Sequence, residues 1–409
     1  MSSLLLQIIF LTFTLGGNIM LLSLGLIFLS GLFMGYIFNK LKLPSLIGML
    51  IAGIILGPYA LNILDGSLLM ISANLREFAL IIILTRAGLS LDFDDLKKIG
   101  RPAIMMSFIP ACFEMAATIY LAPKLFGLSL LDSAILASII ASASPAVIVP
   151  RMLKLMEEGY GTDKNIPQLI LTGDTVDDVF NIVVFTSLLS LSTGGNISII
   201  KFVEIPIAIL IGITVGVGIG LMLSWLFKKI YMRDSVKVVI LLSIAFLLSA
   251  LEDMNIGIPF SGLVAVMASG VAMFRKIPEK AKRLSVKFSQ LWVGAEILLF
   301  VLVGASMNIE HASSVGFKTI LLLVAVLCIR ALGILVCLIK TNLNWKERLF
   351  CTFTGIPKAT VQAAIGAIPF TMGLPNGEFI LAMAVITILF TAPLGAFIID
   401  NMYKKLLVK

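Results

Sequence analysis

Two adjacent carboxylates, Asp177 and Asp178, occur in TGDTVDDVFNIVVFTSLLSL, a stretch apolar and long enough to cross a bilayer. A charged side chain in hydrocarbon costs about 2.5–3.5 kcal/mol even on the lenient insertion scale, so acids at that depth mark ion or proton sites. Asp178 lies about twelve residues into its segment, roughly 18 Å at 1.5 Å per residue, which is near the midplane. Glu114 in IPACFEMAAT, Arg330 in LCIRALGI and Lys358 in GIPKATVQAAIG are about as deep in segments of their own. Four segments therefore bring ionisable groups to one level, where they are expected to cluster and pair inside a bundle. The chemistry expected of Asp177 and Asp178 is a shared site for which a dehydrated monovalent cation and a proton compete, the two carboxylates titrating as one coupled unit. Competition suffices for exchange if the empty, fully charged site does not cross the membrane barrier.

The elements that must hold these groups are transmembrane helices. The 409 residues are 59% hydrophobic and 13% charged, with a mean hydropathy of +1.08, against roughly 25% charged residues in soluble domains. Segments of about 17–25 apolar residues are the unit of a helical span. Thirteen are drawn near residues 18–39, 43–57, 71–90, 101–123, 129–154, 165–192, 200–227, 233–251, 259–275, 288–308, 316–340, 345–371 and 376–402. The apolar stretch from Leu4 to Leu15 is short enough for an interfacial helix or a fourteenth span, and it lacks the basic leader and cleavage site of a signal peptide.

Lys and Arg concentrate in cytoplasmic loops. With the N-terminus outside, this layout puts 24 of the 31 Lys and Arg residues in the cytoplasm, and only Lys124, Lys201 and Lys318 outside. The net charge of +8 is thus a topology signal, and nucleic acid is not an expected partner. Cys112, Cys328, Cys337 and Cys351 have no paired spacing, and the single His311 falls in an outer loop. Neither a disulfide, a resident metal nor a cofactor is expected. No soluble domain is visible, so the chain reads as a single membrane unit.

Two spans carry helix breakers. ASASPAVIVPRML contains Ser142, Ser144, Pro145 and Pro150, and TGIPKATVQAAIG sets Pro357 directly before Lys358. Proline removes a backbone donor, and irregular backbone at membrane depth survives only where it is buried or lines a cavity. Transporters built from inverted repeats place broken helices in corresponding positions of their two halves, next to the ion site. Carbonyls freed at the Ser144–Pro145 break, with the Thr175 hydroxyl, could complete an oxygen shell, since hard cations prefer oxygen. Lys358 could offset the negative ends of the broken half-helices.

The strings SPAVIVPRML, EEGYGTDKNIPQLILTGDTVDD, LLFVLVGASMNI, LCIRALGI and IPKATVQAAIG, in this order, resemble the cation:proton antiporters, specifically the NHA-type sodium/hydrogen exchanger group with its double-Asp motif. The resemblance runs from about Leu41 to Asp400. It implies an all-α polytopic protein of the NhaA/NapA-like antiporter fold, with inverted repeats and two crossing discontinuous helices. It also implies a homodimer in which core helices within 101–192 and 316–402 move, elevator-like, against scaffold and dimer helices within 18–90 and 233–308, with 200–227 as linker. By the same resemblance Asp178 is the main cation and proton carrier, Asp177 assists, and Glu114 and Arg330 form a buried ion pair. The cargo implied is Na+ or Li+ against H+. The basic loops put the C-terminus in the cytoplasm, and a multi-pass inner (plasma) membrane protein is expected.

Two departures stand out. Asp174 is an extra acid one turn before Asp178, free to bind, to relay protons or to pair with Lys358, and Ser306 stands where related sequences carry an acid while Glu296 appears ten residues earlier. A potassium/proton exchanger of the same superfamily is the nearest alternative, and a cation channel or sensor on the same fold is another. An intramembrane aspartyl protease is excluded: adjacent aspartates on one helix point about 100° apart, and no GxGD string occurs. The chain is not expected to be an enzyme.

Overall fold

The computed structural model describes residues 19–90, 100–193, 199–254 and 260–409, and every described regular element is a helix. The stretch from Leu4 to Leu15 and the side chains of Thr175, Lys201 and His311 lie outside the described residues. In chain order the helices are α1 (Ile19–Lys40), α2 (Ser45–Leu56), α3 (Gly66–Met70), α4 (Ser72–Ser90), α5 (Arg101–Met106), α6 (Ile109–Phe126), α7 (Leu130–Ile140), α8 (Pro145–Glu158) and α9 (Ile166–Thr193). There follow α10 (Ile199–Lys229), α11 (Asp234–Asp253), α12 (Gly262–Lys276), α13 (Pro278–Ala305), α14 (Ile309–Cys337), α15 (Trp345–Thr354), α16 (Thr360–Ile365), α17 (Ile368–Thr371) and α18 (Gly377–Leu406).

Each of the thirteen stretches overlaps at least one of these helices. Among the described residues eight segments are long and apolar enough to cross a membrane, so the protein is a helical, multi-pass membrane protein. The stretches 129–154 and 345–371 are interrupted where their prolines predict: α7 stops at Ile140 and α8 starts at Pro145, while α15 stops at Thr354 and α16 starts at Thr360. A further interruption, between α5 and α6, was not anticipated, although Pro110 in the first turn of α6 is a signal for it.

Local sequence explains the ends that position the breaks. Ser129 caps α7 by accepting from the Asp132 amide, and Asn344 with Glu347 forms a capping box on α15. Each satisfies donors that the first turn of a helix leaves open. The Glu347 carboxylate also receives Lys164 Nζ at 2.8 Å, tying α15 to the start of α9. Gly159, in the left-handed region at φ 82°, ends α8.

The long helices differ in how far they are enclosed. α7 with α8, α13 and α18 are mostly covered by neighbours, whereas α1, α10 and α11 turn most of their apolar surface outward. Apolar outward faces suit a lipid surround. α9 packs on α5, α7 and α8, α14 lies along α6, and α15 and α16 pack on α18. On the other flank α13 packs on α2 and α4, and α10 on α12. Gly395 in α18 allows the second break to sit against that helix, because a Cβ there would come within 2.4 Å of the Pro357 ring.

Candidate functional site

The two breaks touch. The Ser144 amide donates to the Pro357 carbonyl at 2.9 Å, and the Ser144 and Thr360 hydroxyls are 3.1 Å apart. Gln362 in α16 reaches into the other break, its Nε2 donating to the carbonyls of Ile139 and Ser142 at 3.0 and 2.9 Å. Backbone groups that interrupted helices leave open are thus supplied by the opposite break, as buried polar groups require.

Beside this junction Glu114, Asp177, Arg330 and Lys358 form one cluster, with Asp177 in the place expected of Asp178. Arg330 Nη1 donates to Glu114 Oε2 at 3.1 Å and Arg330 Nη2 to Asp177 Oδ2 at 2.9 Å. Lys358 Nζ donates to the same Glu114 Oε2 at 2.6 Å and to the Ala141 carbonyl at 3.1 Å. Arg330 Nη1 also donates to that carbonyl. All four side chains are no more than 3% exposed. With two acids and two bases the cluster is neutral when fully ionised, which is the condition for keeping charges out of water.

Ala141 is the residue that closes α7. Two cations on its carbonyl therefore neutralise the negative end of a half-helix, the role expected of Lys358. Lys358 pairs with Glu114, and the sequence left that partner open between Asp174 and others. Arginine bridges both carboxylates because its fork presents two arms at once.

The two adjacent aspartates have different surroundings. Asp177 points inward to Arg330 and accepts from the Ala143 amide at 3.1 Å. Asp178 accepts from the Ser142 hydroxyl and lines a cavity of about 510 Å³ together with Arg86, Ser90, Pro145, Trp292, Glu296 and Thr360, among others. Of the serines in the first break it is Ser142 that meets Asp178, while Ser144 is held by Thr360 and Pro357. Of the carbonyls expected to be free at the break, Ala141 is engaged by two cations and Ser142 by Gln362.

Unpartnered oxygens lie instead along α9. Asp174 Oδ2, Asp177 Oδ1 and Asn181 Oδ1 are buried with no hydrogen-bond partner among the described residues. Positions 174, 177, 178 and 181 are spaced i, i+3, i+4 and i+7, one stripe of a helix. Buried acceptors without donors call for an explanation such as a bound ion. The stripe supplies only oxygen atoms, the ligands that hard cations take. Asn181 had no distinguishing signal in the sequence except this spacing, and Gln362 none except its polarity in the apolar run KATVQAAIG.

On the other side of the cavity's wall is a second cavity of about 310 Å³, lined by residues that include Arg76, Glu77, Phe185, Ser249 and Ile368. Leu80 and Ala364 line both. Ser306, which replaces an expected acid, accepts from Arg76 Nη1 at 3.2 Å.

Comparison with known proteins gives consistent results. The family model described as sodium/hydrogen exchanger, transmembrane, matches residues 6–405. Sodium/hydrogen exchanger 9B2 of Homo sapiens is 30% identical over 96% of this chain and 76% of its own length. Sodium/hydrogen exchanger 9B1 of Mus musculus is 32% identical over 96% of this chain and 72% of its own. The structure of the sodium proton antiporter MjNhaP1 from Methanocaldococcus jannaschii at pH 8 superposes with a TM-score of 0.81 at 21% identity, covering 94% of this chain and 97% of that one.

Proposed function

The chain belongs to the sodium/hydrogen exchanger family, and from that premise we propose that it exchanges sodium for protons across the membrane at Asp178, with Asp177 assisting. The observation that carries this reading is the division of labour between the adjacent acids. Asp178 faces a cavity and among the described residues meets only a serine hydroxyl, whereas Asp177 is fixed by Arg330. A group that must exchange its partner at each cycle cannot be held by a permanent buried cation. The neighbouring orphaned oxygens of Asp174, Asp177 and Asn181 extend the ligand set.

In this mechanism a proton on Asp178 excludes sodium, and sodium excludes the proton. With both absent, Asp178 adds an unmatched negative charge to a neutral cluster. Carrying that charge through the apolar barrier is unfavourable by the several kcal/mol a buried ion costs, so empty return is suppressed and the two fluxes are coupled. Arg330 holds no transferable proton, since a guanidinium stays charged in proteins.

The touching breaks support alternating access. In this reading α7–α8 and α15–α16 are the crossing discontinuous helices of two inverted repeats in a thirteen-span layout. The helices within 101–192 and 316–402 travel as one core against those within 18–90 and 233–308, linked by 200–227, in a homodimer. The bonds between the breaks support motion of the core as one body. The protein sits in the cell membrane with its C-terminus cytoplasmic, the orientation that the 24 basic residues favour.

Asp178→Asn tests the assignment. In everted vesicles the variant is expected to abolish dissipation of a pH gradient on addition of sodium or lithium, and retained exchange rejects Asp178 as carrier. Running wild-type protein in liposomes with sodium, lithium and potassium in turn separates a sodium exchanger from a potassium one. Flux independent of the pH gradient would indicate a channel.

A further inference from the structure

The cavity that admits ions to Asp178 has two other charged residues in its lining. Arg86 comes from α4 and Glu296 from α13, and the rest of the wall is mainly aliphatic, with Trp292 one turn before Glu296. These two charges are arranged differently from the Arg330 cluster. Arg330 and Lys358 contact their acids at 2.6–3.1 Å. Glu296 and Arg86 act on one another electrostatically, but among the described residues neither a hydrogen bond nor an ion pair joins the Glu296 carboxylate to a partner. A pair whose purpose was to clamp α4 to α13 would be expected in contact. Instead both charges border the space through which the cation travels.

We propose that Glu296, opposed by Arg86, sets how strongly the cavity attracts a monovalent cation before it reaches Asp178, and so helps determine the apparent sodium affinity. This rests on the reading of Asp178 as the carrier. The charge count carries the argument. With all three ionised the lining holds one positive and two negative groups, net −1. Removing Glu296 leaves the cavity neutral, and removing Arg86 makes it −2. A cleft with low-dielectric walls concentrates counter-ions about 10- to 1000-fold, so even a single-charge change is readable.

Glu296 is therefore a specificity residue on the route, acting on the cation ahead of the carrier. Its effect falls on KM and leaves turnover, which is set by the moving core, near the wild-type value. Arg86 works in the opposite sense, keeping the cavity from holding the cation too tightly to pass it on.

The test uses the full-length protein in liposomes containing a pH-sensitive dye, with sodium titrated at one alkaline pH. Glu296→Gln is expected to raise the sodium KM about tenfold, the low end of the counter-ion range, with kcat within about twofold of wild type. Glu296→Asp, which keeps the charge, should restore a KM near wild type, and Arg86→Gln should lower it. If Glu296→Gln and Arg86→Gln move KM in the same direction, or lower kcat alone, the pair is a structural contact and the proposal is overturned. Should Glu296→Gln fail to fold, an Arg86→Gln protein whose KM is unchanged or raised overturns it equally. Absence of sodium-dependent proton flux in the wild type would instead bring down the underlying exchanger reading.

Discussion

Replacing Arg330 by alanine removes both arms of a guanidinium whose two carboxylate partners respond differently. Glu114 keeps Lys358 at 2.6 Å, so its charge remains matched. Among the described residues Asp177 keeps only the Ala143 amide at 3.1 Å, and its Oδ1 already has no partner there. The uncompensated charge therefore falls on Asp177, which is fully buried. Breaking a buried ion pair from one side costs about 3–5 kcal/mol, a large part of the roughly 5–15 kcal/mol by which proteins are stable. The expected outcome is poor expression and a markedly lower melting temperature in size-exclusion analysis of heated, fluorescently tagged protein. Arg330→Lys should fall in between, because one ammonium cannot bridge Glu114 and Asp177 as a fork does. Adding Asp177→Asn to Arg330→Ala removes the orphaned charge and should recover part of the loss, which a double-mutant cycle measures as a coupling energy. An alanine variant as stable as wild type but with altered cation selectivity would refute the view that Arg330 holds the site together without carrying ions.

Competition for Asp178 fixes the sign of the pH effect: apparent sodium KM should rise by up to about tenfold per unit as pH falls through the titration of the carboxylate, while kcat at saturating sodium stays constant. A KM independent of pH over the active range would exclude a shared site. Gln362→Leu leaves the Ile139 and Ser142 carbonyls without their donor. At about 1–3 kcal/mol for each buried acceptor left unsatisfied, thermal stability in detergent should drop, and an unchanged melting curve would show that the breaks do not depend on this bridge. Gly395→Val puts carbon within 2.4 Å of the Pro357 ring, which cannot rotate away. Exchange should be lost with the protein still in the membrane, and wild-type turnover would show that the second break need not rest on α18.

Much of the site was legible in the sequence because polar chemistry in an apolar chain is conspicuous. Asp177, Asp178, Glu114, Arg330 and Lys358 stand out against hydrocarbon-length segments, and burial forces such groups to pair whatever the fold. Pro145 and Pro357 marked the two breaks for the equally local reason that proline cannot donate to a helix. These features depend only on which residue types follow one another, and so they survive in one dimension.

Pairing was decided by the tertiary structure. That Lys358 meets Glu114, that Asp177 turns to Arg330 while its neighbour opens on the cavity, and that Ser142 meets Asp178 in place of Ser144 all depend on how each helix is rotated about its axis and at what depth it meets the next. Gln362, Asn181, Arg86 and Glu296 acquire their positions the same way. Rotation and depth are fixed by packing between segments tens to hundreds of residues apart. The sequence alone determined that this chain must gather charges within apolar segments, and packing determined which of them is left facing the cavity.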